Sequence, residues 1–142
     1  MNVVIGVVGR AKDAGLVELE ADYLTRLRAL CTPALLEAKD EATLVARLPK
    51  AAHIYAFDER GEVMTSAAFS ALIAHEAQHG GGAPLAFLIG GADGHSPALR
   101  ERATKLIAFG KMTIAHRLVR VLVLEQVYRA FTILRGMPYH RD

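Results

Sequence analysis

The chain has 142 residues, of which 52% are hydrophobic and 23% are charged. This length suits one domain with a conventional core, and this composition excludes an intrinsically disordered chain. No apolar run approaches the roughly 20 residues that a membrane-spanning helix needs, and the first residues lack the pattern of a signal peptide. A single cysteine, Cys31, excludes an internal disulfide and suits a reducing compartment. We therefore expect one cytoplasmic domain, residues 1–142, with no membrane segment.

The net charge of +2 conceals a division along the chain. Residues 1–99 hold eight Lys and Arg against twelve Asp and Glu, whereas residues 100–142 hold nine against three. A basic C-terminal part beside an acidic remainder indicates an anionic partner for that part. Nucleic acid fits this pattern better than a membrane surface does.

Five apolar segments are separated by stretches with helical periodicity. We predict that these segments are strands, at residues 3–8, 34–37, 54–57, 85–89 and 107–114. Short β/α repeats of this kind predict an α/β fold in which a mainly parallel sheet carries helices on both faces. The chain contains no internal repeat and no low-complexity segment.

The first predicted helix has an apolar stripe that should face the sheet and a charged surface that should face water. The stripe consists of Leu16, Leu19, Tyr23, Leu27 and Leu30. The residues expected in water are Glu18, Glu20, Asp22, Arg26 and Arg28.

Three further helices are predicted. One begins near Ser66, a candidate N-cap, and ends at the glycines of residues 80–82. A short one follows Ser96, with Pro97 at its first position. The last runs from about Arg117 to Leu134, and its predicted buried residues are Leu118, Leu122, Val123, Val127, Ala130, Phe131 and Leu134.

Ligands of open α/β sheets lie at the carboxyl ends of strands, and two positions qualify here. Phe57 is followed by D-E-R-G, predicted as a turn, and the strand before Gly90 and Gly91 ends in a tight glycine turn. The segment after the first strand lacks both the dinucleotide-binding glycine fingerprint and the phosphate-loop motif, which disfavours a standard NAD or ATP enzyme. His75 and His79 stand four residues apart, but no third metal ligand is evident, so a polar helix surface is favoured over a zinc site.

Several separate motifs appear in a recognisable order. They are V-G-R-A-K at 8–12, A-D-Y-L-T-R-L at 21–27, F-D-E-R-G at 57–61, F-L-I-G-G-A-D-G-H-S-P at 87–97, M-T-I-A-H at 112–116, L-V-R-V-L-V-L-E-Q-V-Y-R-A at 118–130 and the terminal P-Y-H-R-D. With these motifs the chain resembles, over nearly its whole length, the bacterial large-subunit rRNA pseudouridine methyltransferases of the SPOUT class, the group called methyltransferase H.

The resemblance implies a sheet whose C-terminal segment forms a trefoil knot, a rare exception to unknotted topology. It also implies a homodimer and S-adenosylmethionine as cofactor. The matching cofactor-binding positions are Phe57, Gly90, Gly91, Phe109, Gly110, Lys111, Met112, Thr113 and Ile114. The implied reaction transfers a methyl group to N3 of a pseudouridine in a 23S rRNA stem-loop, recognised in the assembled ribosome.

For the RNA side, the resemblance points to Glu125, Arg129, Tyr139, His140 and Arg141 as catalytic residues. Glu125 and Arg129 stand at i and i+4, where they can pair and orient the guanidinium. Tyr139 would stack on a splayed base, Arg141 would bind phosphate or developing charge, and His140 would accept the N3 proton.

The chain departs from the family pattern at Ala92, where proline is usual, at Asp93, where glutamate is usual, and at Arg117, where proline commonly follows the histidine. Two alternatives remain beside the rRNA enzyme: a SPOUT methyltransferase that acts on another RNA such as tRNA, and a ribosome-binding relative without catalysis. The residues after the last helix are called the tail below. Because 142 residues leave no room for an appended RNA-binding domain, we predict that the tail of one subunit completes the cofactor site of its partner.

Overall fold

Strands and helices alternate along the whole of the chain described by the computed structural model, residues 1–139. The elements are β1 (Asn2–Val8), α1 (Ala14–Leu27), β2 (Thr32–Ala38), α2 (Glu41–Arg47), β3 (His53–Val63), α3 (Ser66–His79), β4 (Leu85–Ile89), α4 (Pro97–Arg102), β5 (Lys105–Ala108) and α5 (His116–Leu134). None of these described helices is long and apolar enough to cross a membrane.

The five strands form one sheet in the order β2-β1-β4-β3-β5, and every neighbouring pair is parallel. This confirms the predicted parallel α/β sheet. The strands β1 and β4 lie inside the sheet, and all five residues of β4 are buried. Such continuous apolar strands are typical of parallel sheets that are covered on both faces.

Side chains that alternate along the strands form two separate cores. On one face, Ile5 and Phe87 pack with residues of α1, α3 and α5. On the other face, Val4 and Leu88 pack with residues of α2 and α4, including Leu44. The prediction of helices on both faces is therefore confirmed, and the period of two along each strand is its cause.

Polar side chains cap the first four helices. The N-caps are Asp13, Asp40, Thr65 and Ser96, and each accepts a hydrogen bond from a backbone N–H in the first turn of its helix. The predicted cap at Ser96 with Pro97 behind it is confirmed. The predicted cap at Ser66 is wrong by one residue, because Thr65 accepts from the Ala68 N–H, and α2 was not predicted.

The predicted orientation of α1 is wrong at two positions. Glu20, expected in water, is 3% exposed, and Leu19, expected in the core, is 40% exposed. Glu20 faces inward because Arg120 of α5 is buried opposite it and the two side chains form an ion pair. The remainder of the stripe fits better, since Leu27 and Leu30 are both buried.

Two further predictions about the C-terminal part need correction. The strand expected at residues 107–114 covers Lys105–Ala108, and residues 109–115 form an irregular segment before α5. In α5 the predicted burial holds for Val123, Val127, Ala130 and Phe131, but Leu118, Leu122 and Leu134 are exposed. The apolar surface of α5 is thus wider than this chain's own core requires.

The strand β3 carries a large irregularity after Phe57. Both Phe57 and Glu62 pair with Ile107 of β5, so residues 58–61 leave the ladder between them. Gly61 is required here, because a Cβ at this position would lie 2.5 Å from the backbone nitrogen of Ile107. The predicted D-E-R-G turn is therefore wrong, because residues 58–61 form a bulge within β3, which continues to Val63.

Candidate active site

A cavity of about 550 Å³ lies at the carboxyl ends of β3 and β4. Its walls come from the end of β3, the turn after β4, the segment that follows β5 and the first turn of α5. This is the edge at which parallel α/β sheets bind ligands, and the volume lies within the range of about 300–1,000 Å³ usual for small-molecule sites.

The turn after β4 is built from glycines because its backbone segments approach each other closely. A Cβ at Gly90 would lie 2.9 Å from the carbonyl carbon of Gly94. The turn is closed by the Gly94 N–H, which donates to the Gly91 carbonyl at 2.9 Å, and Gly94 has a φ of +72°. Backbone amides and carbonyls therefore face the cavity without intervening side chains.

Eight of the nine predicted cofactor-binding residues line this cavity. They are Phe57, Gly90, Gly91, Phe109, Gly110, Met112, Thr113 and Ile114. Among the described residues of this group, Lys111 alone is outside the lining. Residues that the sequence placed on three separate segments thus meet in one place, because β3, β4 and β5 are adjacent in the sheet.

The cavity has an apolar side and a charged side. The rings of Phe57 and Phe109 are stacked, with centroids 5.1 Å apart and planes inclined by 21°. Charged residues of both signs also line the cavity: Asp58, Glu59, Arg60 and Asp93. A flat apolar group and a cationic group can both find partners in this space.

The two family departures beside the turn, Ala92 and Asp93, are both exposed and both line the cavity. Arg117, the third departure, is exposed in the first turn of α5. None of the three disturbs the close backbone packing at Gly90.

A buried ion cluster lies next to the cavity. The guanidinium of Arg120 donates to Glu20 at 2.8 and 3.2 Å and pairs with Glu37 at 2.8 Å. Glu37 also accepts the backbone N–H of Ala11 at 2.8 Å. These contacts join α1, α5, β2 and the segment after β1, and they are the reason why one arginine of a basic helix points inward.

His116, the first residue of α5, lines the cavity one turn before Arg120. Burial and the charge of Arg120 lower its pKa, and a hydrogen bond to the Val8 backbone opposes them without reversing the shift. Its imidazole is therefore neutral near pH 7. A neutral ring that donates one N–H keeps its other nitrogen as an acceptor.

The predicted RNA-side residues that are described also come together, at the other end of α5. Arg129 donates from Nε to Oε1 of Glu125 at 2.8 Å, and the hydroxyl of Tyr139 donates to the same oxygen at 3.2 Å. The Arg129 guanidinium lies 5.1 Å from the Tyr139 ring centroid. His140 and Arg141 lie outside the described residues.

The cluster of Glu125, Arg129 and Tyr139 is separate from the cavity of its own chain. No described residue belongs to both, and Val119 is the last residue of α5 that lines the cavity. At about 1.5 Å rise per residue, Glu125 lies about 9 Å further along the helix and Arg129 about 15 Å.

Sequence reasoning missed Arg120, Glu20, Glu37 and Tyr23. A signal existed for the ion cluster, because Glu20 is flanked by surface positions of α1 while Arg120 lies between apolar residues of α5. Sequence alone does not pair two residues that are a hundred positions apart.

The histidine pair on α3 is also placed by the structure. The rings of His75 and His79 have centroids 4.8 Å apart on one face of the helix. Within residues 1–139, no group of three His, Cys, Asp or Glu side chains is arranged to hold a metal ion.

A parallel α/β sheet with a glycine-turn cavity at its carboxyl edge defines a class of small-ligand-binding α/β proteins. Comparison with known proteins narrows that class. Residues 1–140 match the family described as predicted SPOUT methyltransferase, and the chain belongs to this family.

Several relatives match this chain over nearly their full length. A protein of Paracoccus denitrificans named ribosomal RNA large subunit methyltransferase H is 44% identical, with 100% of each chain covered. The proteins of the same name from Xanthobacter autotrophicus and Listeria monocytogenes are 40% and 36% identical, with at least 99% of each chain covered.

Proposed function

We propose that this protein is an S-adenosylmethionine-dependent methyltransferase that methylates N3 of a pseudouridine in a 23S rRNA stem-loop of the assembled ribosome. The observation that carries the proposal is the cavity at the carboxyl edge, where eight residues of the family's cofactor pattern converge. The names of the full-length relatives support the large-subunit rRNA as substrate. A cytoplasmic location follows from that substrate.

The cavity residues fit the proposed cofactor. Gly90 has no room for a Cβ, so its backbone groups are free to contact a ribose and an adenine edge. Phe57 and Phe109 provide an apolar wall for the base, and the carboxylates of Asp58, Glu59 and Asp93 provide counter-charges for a cationic ligand. When bound, S-adenosylmethionine supplies an electrophilic methyl group on a positively charged sulfur.

The chain's residues would then orient and deprotonate the RNA base. The imide N3 must lose its proton before it attacks, and we assign the proton to His140, since a neutral imidazole can accept one. Arg141 would offset the charge that develops on the pyrimidine. Because charge is cancelled as the N–C bond forms, positioning in a water-poor site supplies much of the rate.

Tyr139 acts as a hydrogen-bond donor in this scheme. Burial, and the contacts with Tyr23 and Glu125, raise its pKa well above the ordinary value, so the phenol keeps its proton at neutral pH. The hydrogen bond to Glu125 likewise raises the pKa of Arg129. Glu125 and Arg129 therefore contact the start of the tail as an ion pair whose two charges offset each other.

The separation of the two clusters supports a composite site made by two subunits. Since Glu125 and Arg129 lie beyond the cavity of their own chain, we propose that the tail of one subunit serves the cofactor cavity of its partner in a homodimer. The exposed side chains of Leu118 and Leu122, beside the cavity on α5, offer an apolar surface for such a partner. We also propose that the chain forms one domain and that its segment after β5 threads the trefoil knot typical of the family.

The decisive experiment incubates the purified protein with labelled S-adenosylmethionine and ribosomes from a strain that lacks this enzyme. Mass spectrometry then identifies the methylated nucleoside. We expect N3-methylpseudouridine in the large-subunit rRNA. Label in tRNA alone would replace the proposed substrate, and cofactor binding without label on any RNA would remove the catalytic function.

A complementation experiment tests the composite site. One variant carries Gly90→Val in the cavity and the other carries Arg129→Ala in the tail cluster, and each alone should be nearly inactive. If the tail serves the partner's cavity, a mixed dimer has one intact site, so mixing after subunit exchange should restore up to half of the activity per mixed dimer. If each subunit used its own tail, no mixture would recover activity.

A further inference from the structure

Helix α1 packs on the end of the chain through a cluster of three tyrosines, Tyr23, Tyr128 and Tyr139, which we call the clamp. The rings of Tyr23 on α1, Tyr128 on α5 and Tyr139 on the tail lie in contact, with Tyr128 to Tyr139 at 4.7 Å and Tyr23 to Tyr128 at 6.0 Å between centroids. The guanidinium of Arg26 lies 5.4 Å from the Tyr23 centroid and 5.8 Å from the Tyr128 centroid. Three segments of the chain therefore meet at one aromatic cluster.

The hydroxyl groups of this cluster form a directed chain. The Tyr139 hydroxyl donates its single proton to Glu125 at 3.2 Å. The Tyr23 hydroxyl lies 3.3 Å from the Tyr139 oxygen, and because the Tyr139 proton is already engaged, Tyr23 is the donor in this contact. Tyr23 thus donates to the group that contacts the Glu125 and Arg129 pair.

The turn after α5 brings Tyr139 back onto the helix. Gly136 has a φ of +63°, its N–H donates to the Ile133 carbonyl, and the Met137 N–H donates to the Thr132 carbonyl at 2.9 Å. This is the Schellman arrangement that ends helices. Chain ends fray unless tertiary contacts hold them, and here those contacts come from α1 and α5.

We propose that Tyr23 is a positioning residue for methyl transfer: it fixes the ring and hydroxyl of Tyr139, and with them the point at which His140 is attached. The inference rests on the proposed function of the tail. It adds α1 to the elements that support catalysis. Removal of the Tyr23 hydroxyl on α1 lowers the fraction of molecules whose tail is docked, that is, packed on α1 and α5. The Arg26 guanidinium, which packs on the same rings, is held in place by an ion pair with Asp22 at 3.1 Å.

The test uses Tyr23→Phe, which removes the hydroxyl and keeps the ring. A hydrogen bond of this kind contributes about 1 kcal/mol, which corresponds to about a fivefold fall in the ratio of docked to open tails. We expect the single-turnover rate of methyl transfer on ribosomes to fall in proportion to the docked fraction, by at most about fivefold, with the Kd for S-adenosylmethionine unchanged within about twofold.

A second readout reports docking without catalysis. Trypsin cleaves after Arg135 only when the tail opens, so the rate of appearance of the fragment 1–135, followed by mass spectrometry, measures the open population. Since methyl transfer follows the docked fraction and cleavage follows the open fraction, the fall in the methylation rate and the rise in the cleavage rate caused by Tyr23→Phe should multiply to about fivefold. Tyr55→Phe is the matched control, because Tyr55 also loses a buried hydroxyl contact, to Glu76 at 2.8 Å, but far from the tail.

The outcomes separate this inference from the proposed function. A Tyr23→Phe variant with normal cleavage overturns the clamp, and one whose methylation rate does not follow the docked fraction that cleavage reports overturns the positioning role. If Tyr55→Phe matches Tyr23→Phe in both readouts, general destabilisation explains the effect and the inference is wrong. If the wild-type protein methylates no RNA, the proposed function fails, while the cleavage assay still decides whether Tyr23 holds the tail.

Discussion

A single guanidinium, that of Arg120, joins the elements that surround the start of α5. Its side chain is 3% exposed and that of Glu20 is 4% exposed, so both charges have left water. The pKa of Arg120 is raised by its contacts with Glu20 and Glu37 in spite of burial, which opposes the charge. This cluster stabilises the fold only while all of its members are present, because an unpaired buried charge is costly.

We expect Arg120→Met to lower the free energy of unfolding by about 3–5 kcal/mol, because Glu20 would remain buried without a partner. Urea denaturation at pH 7 measures the change. Arg117→Met, an exposed neighbour on the same helix, is the control and should change stability by about 0.5 kcal/mol at most. The double variant Glu20→Leu, Arg120→Met should be more stable than Arg120→Met alone, and equal losses in all three variants would contradict the proposed cause.

The backbone packing at Gly90 leads to a second prediction at the same scale. In Gly90→Ala the new Cβ would lie 2.9 Å from the Gly94 backbone, so the turn must move. We expect the Kd for S-adenosylmethionine, measured by calorimetry, to rise by at least about tenfold. Gly80→Ala is the matched comparison, because a Cβ there would also meet backbone, 2.5 Å from the Glu76 carbonyl oxygen, but lies outside the cavity and should change the Kd by about twofold at most. Equal affinities for the two variants would show that the turn does not contact the cofactor.

At the scale of elements, α5 connects both candidate clusters. His116 and Val119 line the cavity at its first turn, and Glu125 and Arg129 hold the tail two to three turns later. Its buried stripe, with Val123 and Val127, packs on the sheet between them. One helix therefore determines the distance between the cavity and the cluster of Glu125, Arg129 and Tyr139 in the same chain.

The titration of His116 is a prediction about the start of this helix. Burial and Arg120 lower its pKa, so an NMR titration should give a value below the ordinary value of about 6.5. The folded protein then binds fewer protons than the unfolded chain in this range. The contribution of His116 to the free energy of unfolding is therefore complete above about pH 6.5, and it is lost as the pH falls through the lower pKa of the folded protein.

The His116→Gln variant tests the link with stability. It should remove the His116 resonance and flatten the fall in the free energy of unfolding between about pH 7 and 5. A pKa for His116 at or above about 6.5 would show that the ring is not held neutral by its surroundings.

At the scale of the whole molecule, exposed apolar side chains indicate an unfilled surface. Leu118 and Leu122 are one turn apart on α5, 42% and 37% exposed, and Met112 on the cavity rim is 85% exposed. Exposed apolar side chains grouped beside a cavity are typical of an interface. Its position agrees with a dimer in which the partner's tail reaches the cavity.

We expect the double variant Leu118→Glu, Leu122→Glu to weaken dimer formation by at least about a hundredfold, because four carboxylates would meet at the shared surface. Size-exclusion chromatography with light scattering measures the mass, and circular dichroism checks that the subunit remains folded. Ala98→Glu on α4, which packs on the other face of the sheet, is the control. A double variant that remains a dimer would place the interface elsewhere.

Local patterns in the sequence were sufficient for most of the fold. The alternation of apolar strand segments with helical stretches predicted a parallel α/β sheet, because these patterns act over a few neighbouring residues. The glycines at 90 and 91 and the aromatic Phe57 identified the cavity, since strand ends and tight turns have local signatures. The residues of the motif at 112–116 all line this cavity, although the strand predicted through residue 114 ends at Ala108.

Only the tertiary structure decided which charges are buried, how far the core reaches and which residues meet. The inward turn of Glu20 depends on Arg120, a hundred residues away, and no local pattern contains that pair. The exposure of Leu118 and Leu122 depends on what packs beside α5, and the contact of Tyr23 with Tyr139 joins residues 116 positions apart. The sequence by itself determined most of the elements and the sheet edge at which the cavity lies, because periodicity and turns are local, whereas ion pairing, burial and the tail contact depend on packing between distant segments.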